Sequence, residues 1–133
     1  MTRTTWQRAR EERGAAVVEF TLVSVVLLGL FLAVLQFAFV LHVRNTVTAS
    51  AADGARTAAV SGGTLAEGTA RTRQLIAAAL PDSLVGEVSA GYVDDGGLET
   101  VQVQVSTSLP LVGWLGVEHG ITASGHAVVE DQW

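Results

Sequence analysis

Glu19 is the residue whose type and position most clearly indicate chemistry. It directly precedes an uncharged run of 22 residues, Phe20–Leu41. A charged side chain costs about 2.5–3.5 kcal/mol at the centre of a bilayer-spanning helix and less toward the interface, so ionisable residues there are functional candidates. The alternative is that Glu19 lies at the headgroup level, near Arg13 and the positive end of the helix.

Other reactive side chains show no catalytic or metal-ligating pattern. The histidines lack the spacing of metal ligands. No second His follows four residues after His119, so the zinc-binding H-E-x-x-H motif is absent. There is no nucleophile elbow, phosphate loop or dinucleotide fingerprint. Asp94–Gly97 lacks the spaced acids of a calcium loop and is typical of a hairpin turn. The chain has no Cys. We therefore expect no enzymatic activity, catalytic residues, metal site or cofactor.

The charges of this 133-residue chain are unevenly distributed around a net charge of −5. Residues 1–18 carry four Arg and two Glu, whereas residues 44–133 carry four Arg against ten acids. The basic end is a short leader, and no basic face is evident elsewhere. We therefore expect no nucleic-acid partner.

The uncharged run predicts a transmembrane helix. At about 1.5 Å per residue it is roughly 33 Å long, enough for a hydrocarbon core of about 30 Å. It lacks the polar stripe of a soluble amphipathic helix. A cleaved secretory signal is disfavoured because its apolar region is shorter, although Ala49–Ala51 imitates a cleavage site. Four Arg before the run against Arg44 and Arg56 after it favour a cytoplasmic N-terminus.

A stripe of small residues indicates that the helix continues past the bilayer, from Ala15 to about Val60. The stripe recurs every four residues and consists of Val43, Val47, Ala51, Ala55 and Ala59. Such a stripe allows another element to approach closely, either within this domain, as we expect for most of it, or from another subunit. The stripe shares Ala55 with the run Asp53-Gly54-Ala55-Arg56.

Two motifs together resemble the TadE-like family, pseudopilin-type proteins of tight-adherence (Flp) pilus systems. The first is the basic leader ending in Gly14, with Glu19-Phe20 five residues later at the start of the apolar helix. The second is Asp53-Gly54-Ala55-Arg56 after that helix. The resemblance covers about residues 13–59.

The resemblance implies how the leader is processed. A prepilin peptidase would cut between Gly14 and Ala15 on the cytoplasmic side, leaving Glu19 as the fifth mature residue, followed by Phe20. The new ammonium group at Ala15 would then be available to the Glu19 carboxylate, either within one helix or between neighbouring subunits. In the family, this contact is held to set subunit register in the fibre.

The remainder of the chain predicts a small α+β domain of pilin-like layout. Thr64–Glu67 reads as a capping box, and the helix it starts ends before Pro81. We expect its packed face to hold Leu65, Thr69, Thr72, Ile76 and Leu80. Alternation of apolar and polar residues predicts three antiparallel strands, with a turn at Asp94–Gly97 and His126 on the polar face. The apolar stretch Leu109–Val117 is expected to fold back on the sheet, or else to form an exposed patch.

We thus divide the chain into a basic cytoplasmic leader (1–14), a transmembrane helix (15–43) and an extracytoplasmic TadE-like α+β domain (44–133). The expected protein is a single-pass pseudopilin or minor pilin of the cytoplasmic (inner) membrane, which takes part in assembling an Flp-type pilus or related secretion fibre. Expected partners are the prepilin peptidase, other pseudopilins, the Flp-type pilin, the pilus platform membrane protein and the lipid bilayer. The alternative is an uncleaved, single-pass anchored extracytoplasmic binding module.

Overall fold

The computed structural model describes residues 4–108 and 120–130, with side chains from residue 13 onward. The described elements are helix α1 (Thr4–Ala59), helix α2 (Leu65–Ala79), a short 3-10 turn (Asp82–Leu84) and three strands. The strands are β1 (Val85–Asp95), β2 (Leu98–Ser108) and β3 (Gly120–Val128). A long apolar helix, a second helix and an antiparallel sheet confirm the predicted α+β class.

Helix α1 begins earlier than the sequence indicated. We expected its start at Ala15, but regular helix begins at Thr4 and so includes most of the leader. The leader contains no Pro and, before Gly14, no Gly that would interrupt a helix, and its Arg, Glu, Gln and Ala residues favour helix formation. The expected end near Val60 is close to the observed end at Ala59.

The contacts divide the chain into two compact units, Met1–Phe39 and Val40–Trp133. In the second unit, α1 contributes one buried face to the core. The stripe predicted from the sequence is this face, and its members are at most 4% exposed: Val43, Val47, Ala51, Ala55 and Ala59. The stripe therefore packs within its own domain.

Helix α2 begins with the predicted capping box. The Thr64 hydroxyl accepts a bond from the Glu67 amide at 3.2 Å, and the Thr64 amide donates to Glu67 Oε2 at 2.9 Å. Gly68, Thr72 and Ile76 are the buried residues of the helix. Of the predicted packed face, Thr72 and Ile76 are buried, as is Leu80 at the C-cap, while Leu65 and Thr69 are half-buried.

The sheet has the order β1-β2-β3, and both pairings are antiparallel. Val101, Val103 and Val105 on the central strand are fully buried, as the alternating pattern predicted. His126 is exposed on the other face, where its Nε2 lies 2.8 Å from Gln102 Nε2. Gly96 and Gly97 form the predicted hairpin turn with positive φ at both positions, which suits a type I′ turn. The stretch Leu109–Val117 lies outside the described residues.

Candidate functional site

The first candidate site, Gly14–Phe20, lies within regular helix. Gly14, Ala15, Glu19 and Phe20 are exposed, and Phe20 leaves 74% of its surface uncovered. A side chain at Gly14 would meet nothing within 4 Å. Ala15 and Glu19 are four residues apart, so they lie on the same side of the helix, one turn from each other. The geometry therefore permits an ion pair between a free amino group at Ala15 and the Glu19 carboxylate.

The apolar run beyond Glu19 has the length and composition of a membrane span. Within the described residues, one helix is long and apolar enough to cross a membrane, over Arg13–Ala59, and its most apolar window has no buried residue. Thr21 satisfies its hydroxyl by donating to the Val17 carbonyl at 2.8 Å, as polar residues in apolar helices commonly do. Exposed apolar side chains surround the run Phe20–Leu41 on every side, which matches a lipid environment rather than a protein core.

The second candidate site, Asp53-Gly54-Ala55-Arg56, lies where α1 crosses α2. A Cβ on Gly54 would overlap Thr72 Oγ1 and approach the Gly68 carbonyl oxygen to 2.6 Å. A Cβ on Gly68 would lie 2.7 Å from the Gly54 carbonyl oxygen and 2.8 Å from Ala58 Cβ. Two glycines thus face each other and let the two backbones touch, as small residues do at close helix contacts.

Polar contacts hold the same crossing in register. Arg71 Nε donates to Asp53 Oδ2 at 2.9 Å, with each side chain 43% exposed. The buried Thr72 hydroxyl lies 2.9 Å from the Gly68 carbonyl oxygen and 3.4 Å from that of Ser50 on α1. The Arg71–Asp53 ion pair and the Thr72–Ser50 contact both join α2 to α1 next to the two glycines. They therefore set the position of α2 along the axis of α1.

The other two motif residues differ in environment. Ala55 is fully buried in the core, where a larger side chain would not fit without repacking. Arg56 is exposed in the last turn of α1, where its positive charge interacts favourably with the helix dipole. Three of the four motif residues therefore act inside the domain, as an ion pair, a backbone contact and a core residue.

Sequence reasoning missed the partners of this motif on α2. Glycine is unfavourable inside a helix, yet Gly68 is the residue that allows the crossing. The Gly68-x-x-x-Thr72 spacing, which places two small residues on one helix face, was the available signal. Gly125 on β3 is a second case, because a Cβ there would overlap the backbone of α1 at Ala51 and Ala52.

The described residues include no group of three or more His, Asp or Glu able to hold a metal ion. No buried side-chain nitrogen or oxygen in these ranges lacks a hydrogen-bond partner, so no orphaned polar group marks a ligand pocket. What the sites offer is helix packing, membrane insertion and a carboxylate at the start of the span.

Comparison with known proteins gives one family match. The family model described as TadE-like protein matches residues 14–56, from the glycine that ends the leader to the arginine that ends the second motif. This match confirms the resemblance noted from the sequence and extends over both candidate sites. No curated protein and no solved structure matches the chain.

Proposed function

We propose that this chain, TadE-like over residues 14–56, is a membrane-anchored pseudopilin or minor pilin-type component that takes part in assembling an Flp-type pilus or related secretion fibre. The observation that carries the proposal is the family match, which links the Tad/Flp pilus context to one continuous helix. That helix contains the Gly14–Glu19 pair, the apolar run and the crossing with α2. The role is structural rather than enzymatic.

Processing of the leader is the first part of the proposal. The prepilin peptidase cuts after Gly14, on the cytoplasmic side of the inner membrane, and Ala15 becomes the N-terminus. The exposed surroundings of Gly14 leave room for an enzyme to approach. Since a carboxylate in an apolar setting is stabilised by a nearby ammonium group, the new terminus would offset the cost of Glu19.

Assembly is the second part. The Glu19 carboxylate binds the Ala15 ammonium group of a neighbouring subunit and sets the register between them, and Phe20 packs beside this pair. The partners are other pseudopilins, the Flp-type pilin and the pilus platform membrane protein, with the lipid bilayer holding the chain before assembly.

A Glu19→Gln variant tests the assembly step, with Glu87→Gln as the control because Glu87 is exposed on β1, in the other unit. Co-isolation with the platform protein and pilin from membranes is the measurement. We expect Glu19→Gln to reduce co-isolation at least tenfold, since a buried ion pair that loses one partner costs about 3–5 kcal/mol. Equal co-isolation of the two variants would refute the role of Glu19.

The predicted orientation can be measured by cysteine labelling, because the chain has no native Cys. In intact cells carrying Gly14→Val, which keeps the leader attached, we expect a membrane-impermeant maleimide to label Ser89→Cys on the exposed face of β1 and not Thr5→Cys in the leader. The reverse pattern would place the domain in the cytoplasm and contradict the proposal.

An uncleaved, anchored extracytoplasmic binding module remains the second candidate. The observation that favours it is the helix start at Thr4, which places the Gly14–Ala15 bond inside regular helix. Cleavage there requires local unwinding, which costs free energy. For this candidate, Glu19→Gln leaves binding unchanged and the leader stays attached.

A further inference from the structure

The exposed large apolar residues of the sheet are concentrated at one end of it. Among the described residues beyond residue 60, the large apolar side chains that are well exposed are Tyr92, Val93, Leu98 and Val128. All four lie at or beside the β1–β2 turn, where Val93 and Val128 flank Thr100 on neighbouring strands. Single exposed apolar residues are ordinary, but a contiguous group indicates an interaction surface.

The strand register shows which of these residues share a face. Cross-strand partners point to the same side, and successive residues alternate. Val93, Leu98 and Val128 therefore lie on the face opposite the core, at 40%, 57% and 52% exposure. Tyr92, the cross-strand partner of Val101, lies on the other face and is 53% exposed. We call the residues Tyr92–Glu99 the hairpin tip.

Carboxylates accompany these apolar side chains. Asp95, the cross-strand partner of Leu98, is exposed on the same face as Leu98, and Glu130, two residues after Val128, is exposed just beyond β3. Asp94 and Glu99 are exposed on the Tyr92 face. Asp94 is the direct cross-strand partner of Glu99. Like charges directly opposite each other on neighbouring strands destabilise a sheet. Asp94 Oδ1 accepts a hydrogen bond from the Gly97 amide at 2.6 Å. The carboxylates beside the apolar side chains of the Leu98 face are therefore Asp95 and Glu130.

The segment that is not described between β2 and β3 is too short to cover the hairpin tip. It comprises residues 109–119, and both of its ends are at the Ser108–Gly120 pair. Eleven residues reach out and back no farther than about 20 Å, at about 3.6 Å per residue. Ser108 lies eight residues along β2 from Thr100, about 27 Å at 3.4 Å per residue.

We propose that the hairpin tip is a docking surface for another protein that presents an apolar surface flanked by Lys or Arg. Charge decides among the occupants. The same surface of a second copy would bring carboxylates together, and an anionic lipid surface would be repelled in the same way. Since residues 44–133 hold four Arg against ten acids, this domain is a poor source of the required cations. This proposal goes beyond the pilus role and does not depend on leader cleavage.

Site-specific photo-cross-linking of the full-length chain in its host membranes tests the proposal. A benzophenone side chain replaces Leu98 in one variant and Gln104 in the control, because Gln104 is exposed on the same face of the same strand. We expect position 98, and not 104, to form an adduct whose cross-linked peptide from a different protein contains apolar residues beside Lys or Arg.

Charge reversal is the second arm. Asp95→Lys, combined with the probe at position 98, should lower the adduct yield at least about fivefold, while Glu87→Lys near the other end of the hairpin should not. Glu130→Lys, which lies outside the hairpin, should lower the yield as well, so the effect would not come from a distorted turn.

The proposal is overturned if position 98 gives no more adduct than position 104, or if Asp95→Lys and Glu130→Lys both leave the yield unchanged. It is equally overturned if the adduct joins position 98 to a lipid, to a second copy of this chain or to residues 131–133 of the same chain.

Discussion

Replacing Gly68 by Ala tests the helix crossing most sharply, because two effects of opposite sign compete. In an isolated helix, Gly→Ala stabilises by about 1 kcal/mol. At the crossing, the new methyl group would lie 2.7 Å from the Gly54 carbonyl oxygen and 2.8 Å from Ala58 Cβ. Neither atom can move by a change of rotamer, because one belongs to the backbone and the other is a Cβ.

The magnitude follows from these two terms. Overpacking a tight site costs about 1–3 kcal/mol, and a contact with backbone belongs at the upper end of that range. Subtracting the gain in helix propensity leaves a net loss of about 1–2 kcal/mol. That loss corresponds to roughly a 5- to 30-fold increase in the opening equilibrium of α2.

Hydrogen–deuterium exchange with mass spectrometry on the full-length chain in lipid nanodiscs measures this opening for peptides within Leu65–Ala79. Ala70→Gly is the matched control, because Ala70 is exposed on the same helix and reports propensity without a contact. We expect faster exchange in both variants, by about 1 kcal/mol or less in the control. Slower exchange in Gly68→Ala would refute the packing argument.

Three further predictions concern the same domain. Asp53→Asn and Arg71→Gln should show a coupling of no more than about 1 kcal/mol in a double-mutant cycle of urea unfolding, because the pair is partly exposed; a coupling above about 2 kcal/mol would contradict this. Ile76→Ala should lose about 2–5 kcal/mol in the same unfolding assay, since Ile76 is fully buried, and a loss below about 1 kcal/mol would contradict its place in the core. Gly125→Ala should increase hydrogen exchange throughout β3, because its methyl group overlaps the backbone of α1, and unchanged exchange would contradict that contact.

Periodicity made much of the fold predictable. The four-residue recurrence from Val43 to Ala59 identified the buried face of α1, because a helix brings every fourth residue to nearly the same side. Alternation across Val101–Val105 identified the central strand for the corresponding reason in a sheet. The capping box at Thr64 located the start of α2 from two side chains alone.

Features that depend on contacts distant in sequence were not predictable in the same way. Gly68 is unfavourable in its own helix and is explained only by Gly54, which lies 14 residues earlier. The start of α1 at Thr4 differs from the expected start at Ala15 because residues 4–13 include several good helix formers and no Gly or Pro. The boundaries 1–14, 15–43 and 44–133 stay predictions, as do the cleavage after Gly14 and the role of Glu19.

The intact mass of the chain recovered from host membranes tests the central claim most directly. A prepilin-type subunit should be found without residues 1–14, beginning at Ala15, wherever the peptidase is present. Gly14→Val should block this trimming because it changes the residue at the cleavage site. Gly29→Val is the matched control and should not block it, since Gly29 lies on the same helix and its added side chain also has open space around it. Recovery of only the full-length chain in the presence of active peptidase would contradict the account.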